Sequence, residues 1–208
     1  MAALNLFNLS FLLSLLSSSN PSLWPGNHGE KVWVFPPTCN RIECPNYDVI
    51  HTGNGFEIRR YNSSMWISTS PIDDISLVGA TRAGFLRLFG YIQGNNSDKL
   101  KIEMTAPVIT EVKPSDGPFC ASSFTKWGPT YVAVRQFGGF VDDDEVGEEA
   151  AALYASVAGT IWSDAIDKSY SGGNATEYIV AQYNSPFEFR NRVNEIWLTF
   201  DLEDGFAI

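Results

Sequence analysis

The sequence predicts an α+β domain, and three observations carry that expectation. Strand-like and helix-like segments alternate along the chain. The order strand, helix, strand occurs twice, over residues 56–107 and again over 131–186. A length of 208 residues with 44% hydrophobic content is enough to bury one sizeable core. The repetition implies one supersecondary unit used twice about a pseudo-twofold axis, and ligand sites often sit on such a seam.

Each element follows from local pattern. Residues 47–50 and 56–61 read as a hairpin, joined through Thr52-Gly53-Asn54-Gly55, where the Asn-Gly pair supplies positive φ. Phe56, Ile58, Arg59 and Tyr61 mark the alternation of its second strand, and residues 65–69 extend the sheet. Asp73 and Asp74 open a helix over 75–92, which Gly94, Asn95 and Asn96 stop. Residues 101–110 form a strand broken at Pro107. The second copy opens with Tyr131, Val132, Val134, Arg135 and Phe137, and Asp142, Asp143 and Asp144 lead into a helix over 145–161. It returns to Ser185-Pro186-Phe187, the counterpart of Ala106-Pro107-Val108, and a last strand covers 195–200.

The second helix serves as an internal control for the first. Its apolar residues Val146, Ala150, Leu153, Val157 and Ile161 make a narrow stripe, adequate for packing on one sheet. In the first helix, Val78, Phe85, Phe89 and Ile92 form one stripe with Arg82 inside it. Leu77, Gly84, Leu88 and Tyr91 form a second, and Leu86 widens the arc. At ~100° per residue this covers about half the circumference, more than one sheet contact uses. Either a curved sheet or the N-terminal arm with Trp24, Trp33 and Phe35 covers the surplus, or the surplus is an apolar ligand groove. An arginine amid Phe and Val must reach water or an anion, so the groove reading points to a flat hydrophobic molecule carrying carboxylates.

Residues 1–19 read as an address: 4–16 are almost wholly apolar but too short to span a bilayer, and Ser17, Ser18 and Ser19 offer a cleavage site. A secretory signal peptide is expected, with an uncleaved anchor or another targeting segment as the alternative, and the expected destination is the secretory pathway or the extracellular space. No later stretch approaches 18 consecutive apolar residues, so the mature chain carries no membrane span. Residues 20–43 form an irregular Pro- and Gly-rich arm, and 44–204 the domain, its copies spanning about 47–125 and 130–200. Cys39, Cys44 and Cys120 permit one disulfide, between Cys39 and Cys44 or from either to Cys120. Asn62, Asn95 and Asn174 head glycosylation sequons beside turn-like residues. The formal charge is −10 with no basic run, which argues against nucleic acid as a partner.

Three stretches together resemble the SOUL haem-binding protein family, most closely its plant members. Residues 101–108, KIEMTAPV, are similar to its methionine-threonine-small-proline signature; 134–140, VRQFGGF, to the opening of its second repeat; and 183–198, YNSPFEFRNRVNEIWL, to its closing loop and strand. The likeness runs from about residue 44 to 200. It implies two repeats forming a distorted antiparallel β-barrel with two helices packed outside. It also implies reversible binding of haem or free porphyrin in a surface groove along the first helix, without a required axial ligand. On that resemblance, Arg82 matches the arginine that meets a propionate, Phe85 and Phe89 the ring-facing positions beside Val78, and Met104 the signature methionine. One departure stands out: Phe124-Thr125 runs directly into Lys126-Trp127-Gly128-Pro129, where the family continues into a full strand. Its loss would open a sheet edge and invite a homodimer.

Other chemistry is discounted. His28 and His51 lack partners at metal-ligand spacing, which leaves His51 a weak axial-ligand candidate and zinc improbable. Cys44 as a haem thiolate ranks behind a disulfide. Glu148 and Glu149 suit a helix N-terminus, and Gly138-Gly139 a turn, so no enzyme is expected. Two functions remain. One is a tetrapyrrole carrier, buffer or scavenger; the other is a protein-protein interaction module that uses the same apolar face.

Overall fold

In the computed structural model, residues 33–112, 119–120, 126–170 and 178–202 are described. The hairpin predicted first is present as β1 (Tyr47–Thr52) and β2 (Glu57–Tyr61), with a bulge between Val49 and His51. Gly55 takes the positive φ, +85°, that the turn demands, and Gly53 N donates to Phe56 O at 2.9 Å. The expected strand over 65–69 shrinks to β3 (Ser64–Met65), and β4 (Asp73–Asp74) precedes the first helix. The remaining strands are β5 (Val108–Val112), β6 (Phe119–Cys120), β7 (Lys126–Trp127), β8 (Thr130–Phe137), β9 (Tyr178–Gln182) and β10 (Asn194–Phe200).

Six strands join in the order β1-β2-β8-β10-β9-β5, every neighbour antiparallel, while β3 pairs with β7 and β4 with β6 as two-residue ribbons. The first strands of the two copies, β2 and β8, lie side by side with Ile58 opposite Ala133, as a twofold between copies would place them. The copies do not match strand for strand. In the first, the strand follows Ala106-Pro107, and residues 101–107 are irregular apart from a parallel bridge of Thr105 to Glu43. In the second, β9 precedes Ser185-Pro186 and β10 follows the loop. Among the described residues the main sheet runs from edge strand β1 to edge strand β5 and does not close, so the barrel expected from the resemblance is replaced by an open sheet. The segment that would hold the absent strand, 113–127, is described only at β6 and β7.

Side-chain alternation splits the core between the two sheet faces. One face carries Ile58, Ala133, Val180, Ile196 and Leu198 against the helices. The helix α2 (Asp143–Val157) begins at Asp142, whose side chain accepts from Glu145 N at 2.8 Å, and buries Val146, Ala150, Leu153 and Val157 as its stripe predicts. It ends four residues early: Gly159 turns the chain at φ +70°, so Ile161 leaves the stripe and stands 66% exposed. A third helix, α3 (Ser163–Tyr170), follows where only two helices were expected, and its Ile166 and the preceding Trp162 are buried.

The opposite face carries Tyr61, Val132, Val134, Ile179, Ala181 and Trp197, and it is the N-terminal arm that covers it, through Trp33, Cys39, Ile42 and Cys44. Cys39 and Cys44 are disulfide-bonded, which selects one of the three pairings the sequence permits. Of the arm, residues 33–43 pack on the sheet with Phe35 left exposed, and Trp24 lies outside the described residues.

Candidate functional site

The helix α1 (Leu77–Ile92) starts two residues later than expected, because Ser76 rather than Asp73 or Asp74 caps it, accepting from Gly79 N at 3.0 Å. Asp74 accepts from Ser76 N at 3.0 Å and so positions the cap. The helix divides along its two stripes only in part, since Tyr91 of the second is 40% exposed and Ile92 of the first is half-buried. Leu77 and Ala80 are buried, Gly84 and Leu88 half-buried, and Thr81 Oγ1 lies 2.7 Å from Thr110 Oγ1 on β5, so this side faces the protein. Val78, Arg82, Phe85 and Phe89 fall within about 60° of one another on a helical wheel. Val78 and Phe89 are 42% and 40% exposed, Leu86 beside them is exposed as well, and Phe85 is half-buried.

The Phe85 and Phe89 rings stack, with centroids 5.8 Å apart and planes 20° apart. Arg82 is exposed between Val78 and this pair, and among the described residues no carboxylate pairs with it. The outer stripe thus offers a flat aromatic platform next to an unneutralised guanidinium, the requirements of a planar acid. Beneath the helix lies a cleft of only about 60 Å³, lined by Trp66, Ile72, Thr81, Gly84, Phe85 and Leu88. It holds a few waters, not a macrocycle, so a large flat ligand on α1 would have to lie on the outer stripe. Met104 is exposed in the irregular stretch after the helix, which is tied back to it where Ile102 N donates to Ile92 O at 2.9 Å.

The other residues singled out in the sequence lie elsewhere. His51 is on β1, at the opposite end of the strand order from β5, and rests against Phe56 and Trp162 with centroids 5.8 and 6.0 Å away. It is an exposed residue on the edge strand, and it is not brought to α1. Among the described residues no group of three His, Cys, Asp or Glu side chains could hold a metal ion. Glu149 pairs with Arg135, and Gly139 is a turn residue at φ +86°. Asn62 and Asn95 are exposed, whereas Asn174, His28 and the Cys120 side chain lie outside the described residues.

Sequence reasoning missed one cluster. On the arm-covered face, Glu195 accepts from four donors: Arg59 Nη1 at 2.9 Å, Gln136 Nε2 at 3.2 Å, Tyr183 Oη at 2.9 Å and Trp197 Nε1 at 2.7 Å. Arg59 also donates to Glu57 at 2.8 Å, and its guanidinium lies 4.4 Å from the Tyr47 ring centroid and 5.5 Å from that of Trp33. Burial alone would lower the Arg59 pKa, but Glu195 and the surrounding phenols hold it above the ordinary arginine range. Burial followed by Glu195 pushes the Tyr61 and Tyr183 phenols up. With each carboxylate oxygen of Glu195 accepting two hydrogen bonds, the cluster ties the described arm residues to the sheet. Period-two spacing puts Glu57, Arg59 and Tyr61 on one face, which was the available signal; nothing local links them to Glu195.

Residues 42–127 and 121–199 match the model of the SOUL heme-binding protein family. The chain is 31% identical over 169 residues to "Heme-binding protein 2" of Homo sapiens, covering 69% of this chain and 77% of that protein. It is 28% identical over 185 residues to "Heme-binding protein 2" of Mus musculus, covering 76% and 85%.

Proposed function

Because this chain belongs to the SOUL heme-binding protein family, we propose that it binds haem or a free porphyrin, reversibly, on the outer stripe of α1. The observation that carries this reading is the exposed apolar stripe around Arg82, which the described arm residues, 33–43, leave free by packing on the opposite sheet face. Val78, Phe85 and Phe89 would face the ring, Arg82 would meet a carboxylate, and Met104 would flank the edge. Affinity would come mostly from apolar burial at ~25 cal/mol per Å², with the guanidinium fixing orientation. A macrocycle held by its face and a carboxylate can leave again, which suits a carrier, buffer or scavenger rather than a catalyst. The Cys39–Cys44 disulfide and the exposed sequon residues Asn62 and Asn95 support a secreted or lumenal setting in which those asparagines carry glycans.

Soret titration of the purified chain tests the proposal. A saturable, red-shifted band is expected, weakened about tenfold or more in Arg82→Ala and in Phe85→Ala. No band, together with a dimer that dissociates on the same substitutions, would instead make the stripe a protein-interaction face.

A further inference from the structure

The two margins of the α1 stripe differ in chemistry. On a helical wheel Arg82 stands about 60° to one side of Phe85, while Thr81 and Leu88 stand about 40° and about 60° to the other. Arg82 is exposed to water. The opposite margin is a wall of the cleft between α1, β5 and residues 66–72, which Thr81, Phe85 and Leu88 all line. Phe85 therefore belongs to both surfaces, stacking with Phe89 on the stripe and bordering the cleft.

The cleft has a rim and a floor. Ile67 is 50% exposed and Phe85 and Leu88 are half-buried, whereas Ile72, Ala80, Thr110 and Glu111 are buried. A group thus enters beside Ile67, Phe85 and Leu88, at the edge of the stripe. The volume of about 60 Å³ admits roughly four to six atoms the size of a water oxygen. Bare backbone at Gly84 forms part of the wall. A Cβ added there would lie 3.5 Å from Ile72 Cδ1 and 3.9 Å from Thr69 Oγ1, ordinary contact distances, so a methyl group fits the space. The Thr81 and Thr110 hydroxyls satisfy each other at 2.7 Å, and Ser68 and Glu111 have interactions of their own within the chain. A carboxylate pushed into the cleft would meet Glu111, with no cation among the lining residues to offset it.

We infer that this cleft is a subsite for a short apolar side group, a vinyl or an ethyl, of the macrocycle held on the outer stripe, and that Gly84 keeps it open. The inference rests on porphyrin binding at that stripe. Haem and protoporphyrin carry propionates on one half of the ring and vinyl groups on the other. Arg82 at one margin and the cleft at the other match that division. The ring then lies across the helix, its acid half toward Arg82 and its vinyl half over Phe85 and Leu88. The size agrees, because the cleft takes a small side group and leaves the ring itself on the Phe85 and Phe89 platform. Water between mainly apolar walls is poorly held, so an apolar group that displaces it gains affinity.

Titration of the purified chain with protoporphyrin, mesoporphyrin and deuteroporphyrin is the test. All three share the same propionates and differ only in carrying vinyl, ethyl or hydrogen at the same ring positions. Protoporphyrin and mesoporphyrin are expected to bind about tenfold more tightly than deuteroporphyrin. Gly84→Ala, which puts a methyl into the cleft, is expected to cut that preference below about threefold while melting at or above the wild-type temperature. Ile67→Trp narrows the rim from an exposed position and is expected to reduce the preference likewise. Arg82→Ala is expected to weaken all three porphyrins alike and to leave their order intact. Three porphyrins bound equally by the wild type, or a preference that Gly84→Ala and Ile67→Trp leave unchanged, overturns the subsite while binding on the stripe stands. A Soret band that shifts with none of the three overturns both.

Discussion

Arg59 shows what single residues contribute and how little of it is visible locally. Its strand was legible from alternation, and the same alternation sets Glu57, Arg59 and Tyr61 on one face. Its principal partner, Glu195, is 136 positions away, and only the β2-β8-β10 order brings the two together. Removing the cation would strand two buried carboxylates, so Arg59→Met should destabilise the fold by about 3–5 kcal/mol in chemical denaturation. The phenols of Tyr61 and Tyr183 add a pH dependence. Both are raised in the folded state above the ordinary value of 10.0, so the stability they confer is fully present below about pH 10 and is lost as pH rises further. Phenolate absorbance should show these two tyrosines silent until the chain unfolds in alkali. A smooth titration of all tyrosines in the folded protein would contradict the buried cluster.

At the scale of elements, the comparison of the two helices was the most informative reading, because amphipathic width depends on the sequence of one helix alone. The narrow α2 stripe packs as expected except at Ile161, which Gly159 removes from the helix. The wide α1 arc divides into a packed and an exposed side, though which stripe would be exposed followed only from where β5 and residues 66–72 lie. The helix α3 went unseen because its eight residues fall below the length at which periodicity speaks, although Trp162, Ile166 and Tyr170 are four apart. The strand expected over 65–69 depended on partners that pattern cannot supply, and only Ser64 and Met65 pair. The division of α1 predicts a contrast measurable by denaturation: Leu153→Ala on α2 costs about 2–5 kcal/mol, whereas Phe89→Ala on α1 costs less than about 1 kcal/mol while weakening porphyrin binding. Equal costs would mean that Phe89 is part of the core.

For the whole molecule, the duplication was legible and its closure was not. Two copies of a strand-helix-strand pattern dictate neighbouring β2 and β8 and a helix per copy, but sheet closure depends on edge pairing far apart in sequence. The arm's destination was equally hidden: its Trp33 could serve either face until Arg59 was seen beneath it. Because the described arm residues, 33–43, pack on the sheet, they leave the α1 stripe exposed for a ligand. The most direct test is NMR of the chain with diamagnetic protoporphyrin, whose ring current marks whatever lies under the macrocycle. Saturable upfield shifts are expected at the Val78 and Leu86 methyls and at the Phe85 and Phe89 rings, and they should be lost together in Arg82→Ala. Shifts confined to other surfaces, or none at porphyrin concentrations that saturate the Soret band, would contradict the account.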